Sequence, residues 1–359
     1  MKIIFTGGGT GGHIYPALAL IKKIKEKQPD TEILYIGKVN SQEEKICKEE
    51  SIPFIGINVL PLYRKNPFKN IKTMFSFFKS YQKCKRIIKE FKPDWIIGTG
   101  GYVSCPVIYA GSKKRYKTII HEQNAIPGLT NRFLAKYVSK VAISFPSSAK
   151  YFPSHKVVLT GNPRAQLVYE TKRVNKRELG LSDSKKCLLI FMGSLGAKYV
   201  NETIVKLLPL LNKHKDWEIV FVTGNEHFDD IKHKISSMKL SNIHLKPYID
   251  NMPNYYQHAD LVICRAGATT LSEIAALGLA AILIPSPYVT NNHQEKNAQA
   301  FVESKSAVMI REKALNETIL YETIRSLLEN PYELRLLRNQ IFKQGIRDSC
   351  DRFLMIIDG

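Results

Sequence analysis

The sequence predicts an α/β protein built from two doubly wound, Rossmann-like domains. Three observations carry that prediction. Short β-branched runs alternate with helical patterns along the whole chain, which is the signature of βαβ units and parallel sheets. The strand candidates number about thirteen, too many for one compact sheet. Several strand-to-helix turns are rich in glycine, as phosphate-binding turns of such folds are. At 359 residues and 44% hydrophobic, the chain is long enough to bury two cores.

In chain order, the strand candidates of the first half are KIIF, EILYIG, PFIGI, DWIIGTG, KTIIHE, KVAIS and KVVLTG. Those of the second half are CLLIFMGS, EIVFVTG, IHLKP, DLVICRAG, AAILIP and AVMI. Helical stretches such as YPALALIKKIKEK and NETIVKLLPLLNK lie between them. TGNPRAQ, Thr160 to Gln166, follows a strand, contains Gly and Pro, and precedes a polar stretch up to Ser184. It divides the chain into residues 1–163 and 164–359. Beyond Asn316 the pattern is helical, and the last helix is a candidate to cross back onto the first domain.

Charge distinguishes the two halves. The whole chain carries +21; residues 1–163 hold 27 Lys and Arg against 10 Asp and Glu, and residues 164–359 hold 26 against 22. An excess of +17 in the first half and +4 in the second points to an anionic partner for the first domain. The six cysteines form no C-x-x-C pair, which argues against a zinc ribbon or a disulfide framework and suits a reducing compartment. MKIIF is too short for the apolar core of a signal peptide, and no run approaches a spanning helix, so a cytoplasmic protein is expected.

The opening GGGTGGH, Gly7 to His13, lies between a strand and a helix. Gly7, Gly9 and Gly12 meet the dinucleotide fingerprint, yet the end of the second strand offers Ile36, Gly37 and Lys38 where a ribose-binding acid is needed. No Gly-Lys-Ser/Thr follows either. What remains is the physical core of such loops: glycines let the backbone approach a diphosphate, and helix N-terminal amides bind it. A tight turn needing small residues is the plainer alternative. FMGSLGAK and CRAGATTLSEIAALG repeat the arrangement, although Thr270 and Glu273 also have capping-box spacing. Loops of this kind on two domains suggest a cleft holding a sugar nucleotide and an acceptor.

GGGTGGH, GTGGYVSCP, IHEQNAIPGLTNRFLAK, TGNPR, GSLGA, AGATTLSEIAALG and HQEKNA occur in the order found in the MurG family, and the resemblance covers nearly the whole chain. It implies a GT-B fold and an inverting, lipid II-forming N-acetylglucosaminyltransferase. The donor is then UDP-GlcNAc, and the acceptor is undecaprenyl-pyrophosphoryl-MurNAc-pentapeptide (lipid I), at the cytoplasmic face of the cell membrane. By the same resemblance, Glu273 takes the ribose hydroxyls, Ile249 meets uracil, and Ser194 and Thr270 contact the diphosphate. Ala268 and Thr269 line that turn, Gln294 bonds the GlcNAc hydroxyls, and Arg164 binds the donor. Thr10, Gly11, Gly12 and Asn124 complete the site from the first domain. Two features depart from the pattern: Leu195 stands where many relatives carry Gln, and Arg164 follows the proline directly where several carry one more residue. Related GT-B enzymes, such as a UDP-GlcNAc 2-epimerase or another lipid glycosyltransferase, are the alternative.

An inverting transfer needs a base for the acceptor hydroxyl and a stabiliser for departing UDP. His13 is the first candidate base, its pKa lowered by the positive helix end so that neutral imidazole is available near pH 7. His121 and Glu122 of IHEQN are the rival pair, and Tyr102 is a candidate to orient the acceptor. No D-x-D motif occurs, so neither a metal nor a cofactor is expected to be obligatory. Asn66 to Lys92 interleaves Ile71, Phe75, Phe78 and Ile88 with lysines and Arg86, against Glu90 as its one acid. A basic helix bearing aromatics fits an anionic bilayer surface, or else turns its apolar stripe to the core. No nucleic-acid recognition motif accompanies the charge, so nucleic acid is not an expected partner.

Overall fold

The computed structural model describes residues 1–63, 69–193 and 195–359. The chain forms two compact units: Met1–Gln166 with Ile346–Gly359, and Leu167–Gly345. All thirteen strand candidates form strands, the last of them shortened to Val308–Met309.

In the first unit the elements run β1 (Lys2–Thr6), α1 (Gly11–Lys27), β2 (Glu32–Lys38), α2 (Gln42–Glu49), β3 (Phe54–Ile57), α3 (Lys69–Phe91) and β4 (Trp95–Gly98). They continue with α4 (Ser104–Lys113), β5 (Lys117–Glu122), α5 (Leu129–Leu134), β6 (Lys140–Ile143), β7 (Val157–Leu159) and α6 (Pro163–Tyr169), the last of which carries the chain out of the unit. The seven strands are parallel in the order β3-β2-β1-β4-β5-β6-β7. Helices cover both faces, so central strands such as β1 and β4 are buried on both sides and read as continuous apolar runs.

The second unit repeats the plan: β8 (Lys186–Phe191), α7 (Lys198–Leu211), β9 (Trp217–Val222), α8 (Asn225–Ile235), β10 (Ile243–Lys246), α9 (Met252–Tyr256) and β11 (Leu261–Cys264). Then come α10 (Ala268–Leu277), β12 (Ala280–Leu283), α11 (His293–Glu303), β13 (Val308–Met309), α12 (Glu317–Leu328) and α13 (Pro331–Gln344). Its parallel sheet has the order β10-β9-β8-β11-β12-β13. The core gathers Trp217, Phe221 and Ile263 from the strands with Ile204 and Leu208 of α7 and Leu320 and Ile324 of α12.

The final helix, α14 (Ser349–Asp358), belongs to the first unit. Cys350, Phe353, Leu354 and Ile357 recur at helical spacing and are buried with Leu20, Ile21 and Ile24 of α1. Gln166 Oε1 accepts from the backbone N–H of Cys350 at 2.7 Å and of Asp351 at 3.1 Å, serving as a remote cap for the first turn. Ser349 Oγ donates to Asn162 O at 2.7 Å. These bonds hold Asn162–Gln166 in the first unit. The boundary therefore falls at Gln166, beyond the 163/164 division expected from sequence, and Arg164 lies in the first unit.

Among the described residues no helix is long and apolar enough to cross a membrane. On α3, Ile71, Met74, Phe75 and Phe78 are exposed, while Cys84, Ile87 and Ile88 lie in the core. The apolar residues of this segment thus divide between exposed turns and core turns of one helix, with Ile88 on the core side. Residues 66–68, where the segment begins, lie outside the described residues.

Candidate active site

In an open α/β sheet the strand order reverses at one point, and loops at the carboxyl ends of the two central strands diverge there to leave a crevice. In the first unit that point lies between β1 and β4, and in the second between β8 and β11. The glycine-rich turns singled out in the sequence leave β1, β4, β8 and β11.

In the first unit the backbone at Thr10 is extended, and Gly11 and Gly12 open α1 with no side chain capping them. His13 is the helix's third residue. Its Nδ1 lies 3.1 Å from Gly8 O and 3.2 Å from Thr10 Oγ1. A carbonyl only accepts, so in the neutral ring the proton resides on Nδ1 and the lone pair on Nε2. The ring lies against Gly100 and Gly101, whose φ values are +105° and +80°. A Cβ on Gly100 would fall 2.8 Å from His13 Cδ2, so both the backbone conformation and the close approach require glycine. Thr99 Oγ1 donates to His13 O at 2.7 Å and ties the two loops together. Tyr102 is half-buried beside Gly9.

The IHEQN segment ends β5, and here the structure corrects the expectation of a rival base. His121 is wholly buried. Its Nε2 is 3.1 Å from Gly161 O and 3.0 Å from Ser144 Oγ, and Gln123 Nε2 donates to its Nδ1 at 3.0 Å. Burial lowers its pKa to about 4, with the bond to Gly161 opposing and His13 lowering it further. Neither nitrogen of this ring is presented to a substrate. Glu122 is also buried, and burial raises its pKa against the hydrogen bonds it accepts. Those bonds come from Asn124 N (2.9 Å), Asn124 Nδ2 (3.2 Å), Gly128 N (3.1 Å) and Asn131 Nδ2 (2.9 Å). The carboxylate is thus the post around which the 122–131 loop is folded, and it orients the Asn124 amide. Arg164, at the start of α6, places its guanidinium 5.8 Å from the centroid of the Tyr15 ring on α1.

In the second unit Gly193, Leu195, Arg265, Ser286, Gln294 and Glu312 line a cavity of about 570 Å³. Gln294 Oε1 accepts from Ser286 N at 2.9 Å. Arg265, at the end of β11, donates from Nη1 to Ile284 O at 3.1 Å and pairs with the buried Glu312 at 2.6 Å. The sequence reading passed over Arg265; its signal was a lone arginine directly after LVIC and before the glycine turn. Thr269 and Thr270 are partly exposed in the first turn of α10, and Ala268 is buried there. The helix is capped at Gly267, so Thr270 stands inside it and the capping-box alternative does not hold. Glu273 is buried and accepts from Tyr256 Oη at 3.3 Å. Ile249 is buried just before α9. Leu195 is 68% exposed, an unusual setting for a leucine. Ser194 lies outside the described residues. Among the described residues no group of three His, Cys, Asp or Glu is placed to hold a metal ion.

Two profiles of one family cover these two sites. The glycosyltransferase family 28 N-terminal domain matches residues 3–143, and its C-terminal domain matches residues 187–352. The chain belongs to glycosyltransferase family 28. A relative from Bacillus pumilus (strain SAFR-032) is 45% identical over 359 residues, spanning 99% of this chain and 98% of the relative. It is named UDP-N-acetylglucosamine--N-acetylmuramyl-(pentapeptide) pyrophosphoryl-undecaprenol N-acetylglucosamine transferase. The crystal structure of Acinetobacter baumannii MurG superimposes with a TM-score of 0.78 at 27% identity, over 99% of both chains. A UDP-N-acetylglucosamine 2-epimerase structure from Listeria monocytogenes reaches a TM-score of 0.73 at 13% identity, over 99% of this chain and 95% of that one. At that identity the likeness shows the fold alone. The fold is thus GT-B, two parallel-sheet domains, and the chain is a glycosyltransferase of the MurG type.

Proposed function

We propose that this family 28 enzyme transfers GlcNAc from UDP-GlcNAc to the C4 hydroxyl of MurNAc in lipid I, with inversion, and so forms lipid II. The observation that carries the reading is the 45% identity with the Bacillus pumilus transferase over 99% of this chain. In the reaction His13 Nε2 takes the acceptor hydroxyl proton as that oxygen bonds to C1 of GlcNAc. The C1–oxygen bond to the diphosphate breaks, and its electron pair leaves with UDP. The Nδ1–H bond to Gly8 O supports this role, because it leaves the lone pair on the other nitrogen.

In this reading Thr10, Gly11 and Gly12 face the acceptor diphosphate and the transferred sugar, with Tyr102 and Asn124 orienting the acceptor. His121 and Glu122 act as positioning residues. Ser194, Ala268, Thr269 and Thr270 hold the donor diphosphate, Glu273 the ribose, Ile249 the uracil and Gln294 the sugar hydroxyls. Arg164 contributes a cation to the donor. Arg265 is a further cation suited to the leaving diphosphate, since it already lines the cavity beside Gly193.

The enzyme works as a peripheral protein on the cytoplasmic, anionic face of the membrane. Support comes from the exposed stripe Ile71, Met74, Phe75 and Phe78, flanked by the exposed Lys72, Lys79 and Lys83. Purified enzyme given UDP-GlcNAc is expected to release UDP only when a lipid-linked MurNAc acceptor is added. Turnover of UDP-GlcNAc with no acceptor favours an epimerase and refutes the transferase reading.

A further inference from the structure

Gln123 stands between the two histidines of the first unit, and its amide orientation is fixed by its partners. Nε2 lies 2.6 Å from Thr99 O and 3.0 Å from His121 Nδ1. A backbone carbonyl cannot donate, so the NH₂ group must face Thr99. The bond from His121 Nε2 to Gly161 O fixes that ring in turn as a donor at Nε2 and an acceptor at Nδ1, which receives the second amide hydrogen. Both hydrogens of Gln123 are therefore committed, and Oε1 faces the other way. That oxygen belongs to a side chain only 2% exposed, and it accepts no hydrogen bond among the described residues. Such an orphaned buried acceptor is costly where nothing compensates it.

Its neighbour is the candidate base. The point where a Cβ on Gly100 would lie is 3.1 Å from His13 Nε2 and 3.6 Å from Gln123 Oε1. Gln123 Oε1 and His13 Nε2 thus both lie within 4 Å of one point beside Gly100, and the buried oxygen carries a poorly screened dipole there. We infer that Gln123 is a positioning residue for the transfer reaction, whose side-chain carbonyl stabilises the imidazolium that His13 becomes on taking the acceptor proton. Held by Thr99 and His121, the oxygen is already in place and needs no reorganisation as charge develops. This inference rests on the reading of His13 as the base. The other titratable groups around the glycine loop include Tyr35 of β2, which donates to Gly7 O, Glu43 of α2 behind Gly8, Tyr102 beside Gly9, Tyr15 of α1 beside Gly11, and His121 and Glu122 of β5.

The test follows the His13 Cε1–H resonance of the ¹³C-histidine-labelled full chain across neutral pH, assigned with His13→Gln. In Gln123→Met, the protonation constant of His13 is expected to fall about tenfold, one pH unit. The acid limb of kcat/KM should move with it. His121→Asn, which leaves the Gln123 Nε2–H bond to Thr99 O in place, should shift His13 less than Gln123→Met does. Gln123→Glu places a carboxylate there and should raise the constant, which keeps the test decisive should Gln123→Met not fold. An unchanged His13 titration in both Gln123 variants overturns the inference. So does an equal shift in His121→Asn, which assigns the effect to lost packing. Because the titration needs no turnover, failure of the base reading is seen separately, as full activity in His13→Ala with the Gln123 shift intact.

Discussion

His13 was legible in the sequence because a lone histidine closes a glycine loop at the start of a helix. The neighbouring HEQN run was not, since an alternating strand leaves open which side chains turn inward. His121 and Glu122 are both buried at the end of β5, and only the hydrogen-bond partners show that Glu122 holds the 122–131 loop while the His121 ring bonds Ser144, Gly161 and Gln123. Arg265 was missed because its partner, Glu312, is remote in the chain. The buried His121 makes a prediction of its own. Its pKa is about 4 in the fold against 6.5 unfolded, so the unfolded chain binds more protons in that window. The stability that neutral His121 contributes is complete above 6.5 and is lost as pH falls towards 4. The loss amounts to about 3 kcal/mol at most. Denaturant titrations across that range should show a shallower acid decline in His121→Asn than in the wild type. Parallel curves for the two proteins contradict the assignment.

Element by element, alternation of β-branched runs with amphipathic helices was sufficient to find every strand, because parallel strands buried on both faces have no other reading at that length. Helix α14 was less certain. Its apolar residues Phe353, Leu354 and Ile357 show that it packs, but the bonds from Gln166 that decide where are long-range. In α3 one periodicity runs through both exposed and buried turns, and composition alone could not divide them. Ile71, Met74, Phe75 and Phe78 recur at i, i+3, i+4 and i+7 and stay exposed, with Phe75 at 74%. Such a stripe has a cost in water and a use at an acyl boundary. Phe75→Glu with Phe78→Glu is expected to weaken binding to phosphatidylcholine vesicles containing phosphatidylglycerol by about tenfold or more. Its thermal midpoint should match the wild type, since no core contact is lost. Undiminished vesicle binding removes α3 from the membrane surface.

For the whole molecule, two doubly wound parallel-sheet domains with glycine-rich turns were foreseen from the sequence, and the structure adds their strand order and places those turns at the reversal points. The sequence put the division within Thr160–Gln166 and offered the last helix as a candidate to return; the structure places the boundary at Gln166 and brings residues 346–359 back to the first unit. Both depend on Asn162 and Gln166 bonding to residues far along the chain. The charge division suits the proposed function, in which an anionic lipid acceptor meets the strongly basic first unit and a soluble nucleotide the nearly balanced second. The central claim joins the two, with a base on the first unit acting on a donor bound by the second. Single-turnover transfer from radiolabelled UDP-GlcNAc to a lipid I analogue tests it most directly, with UDP affinity measured in parallel. His13→Ala should lose transfer by about 10²–10⁴-fold, the usual contribution of a general base, while UDP affinity stays within about twofold. Wild-type transfer rates in His13→Ala contradict the account.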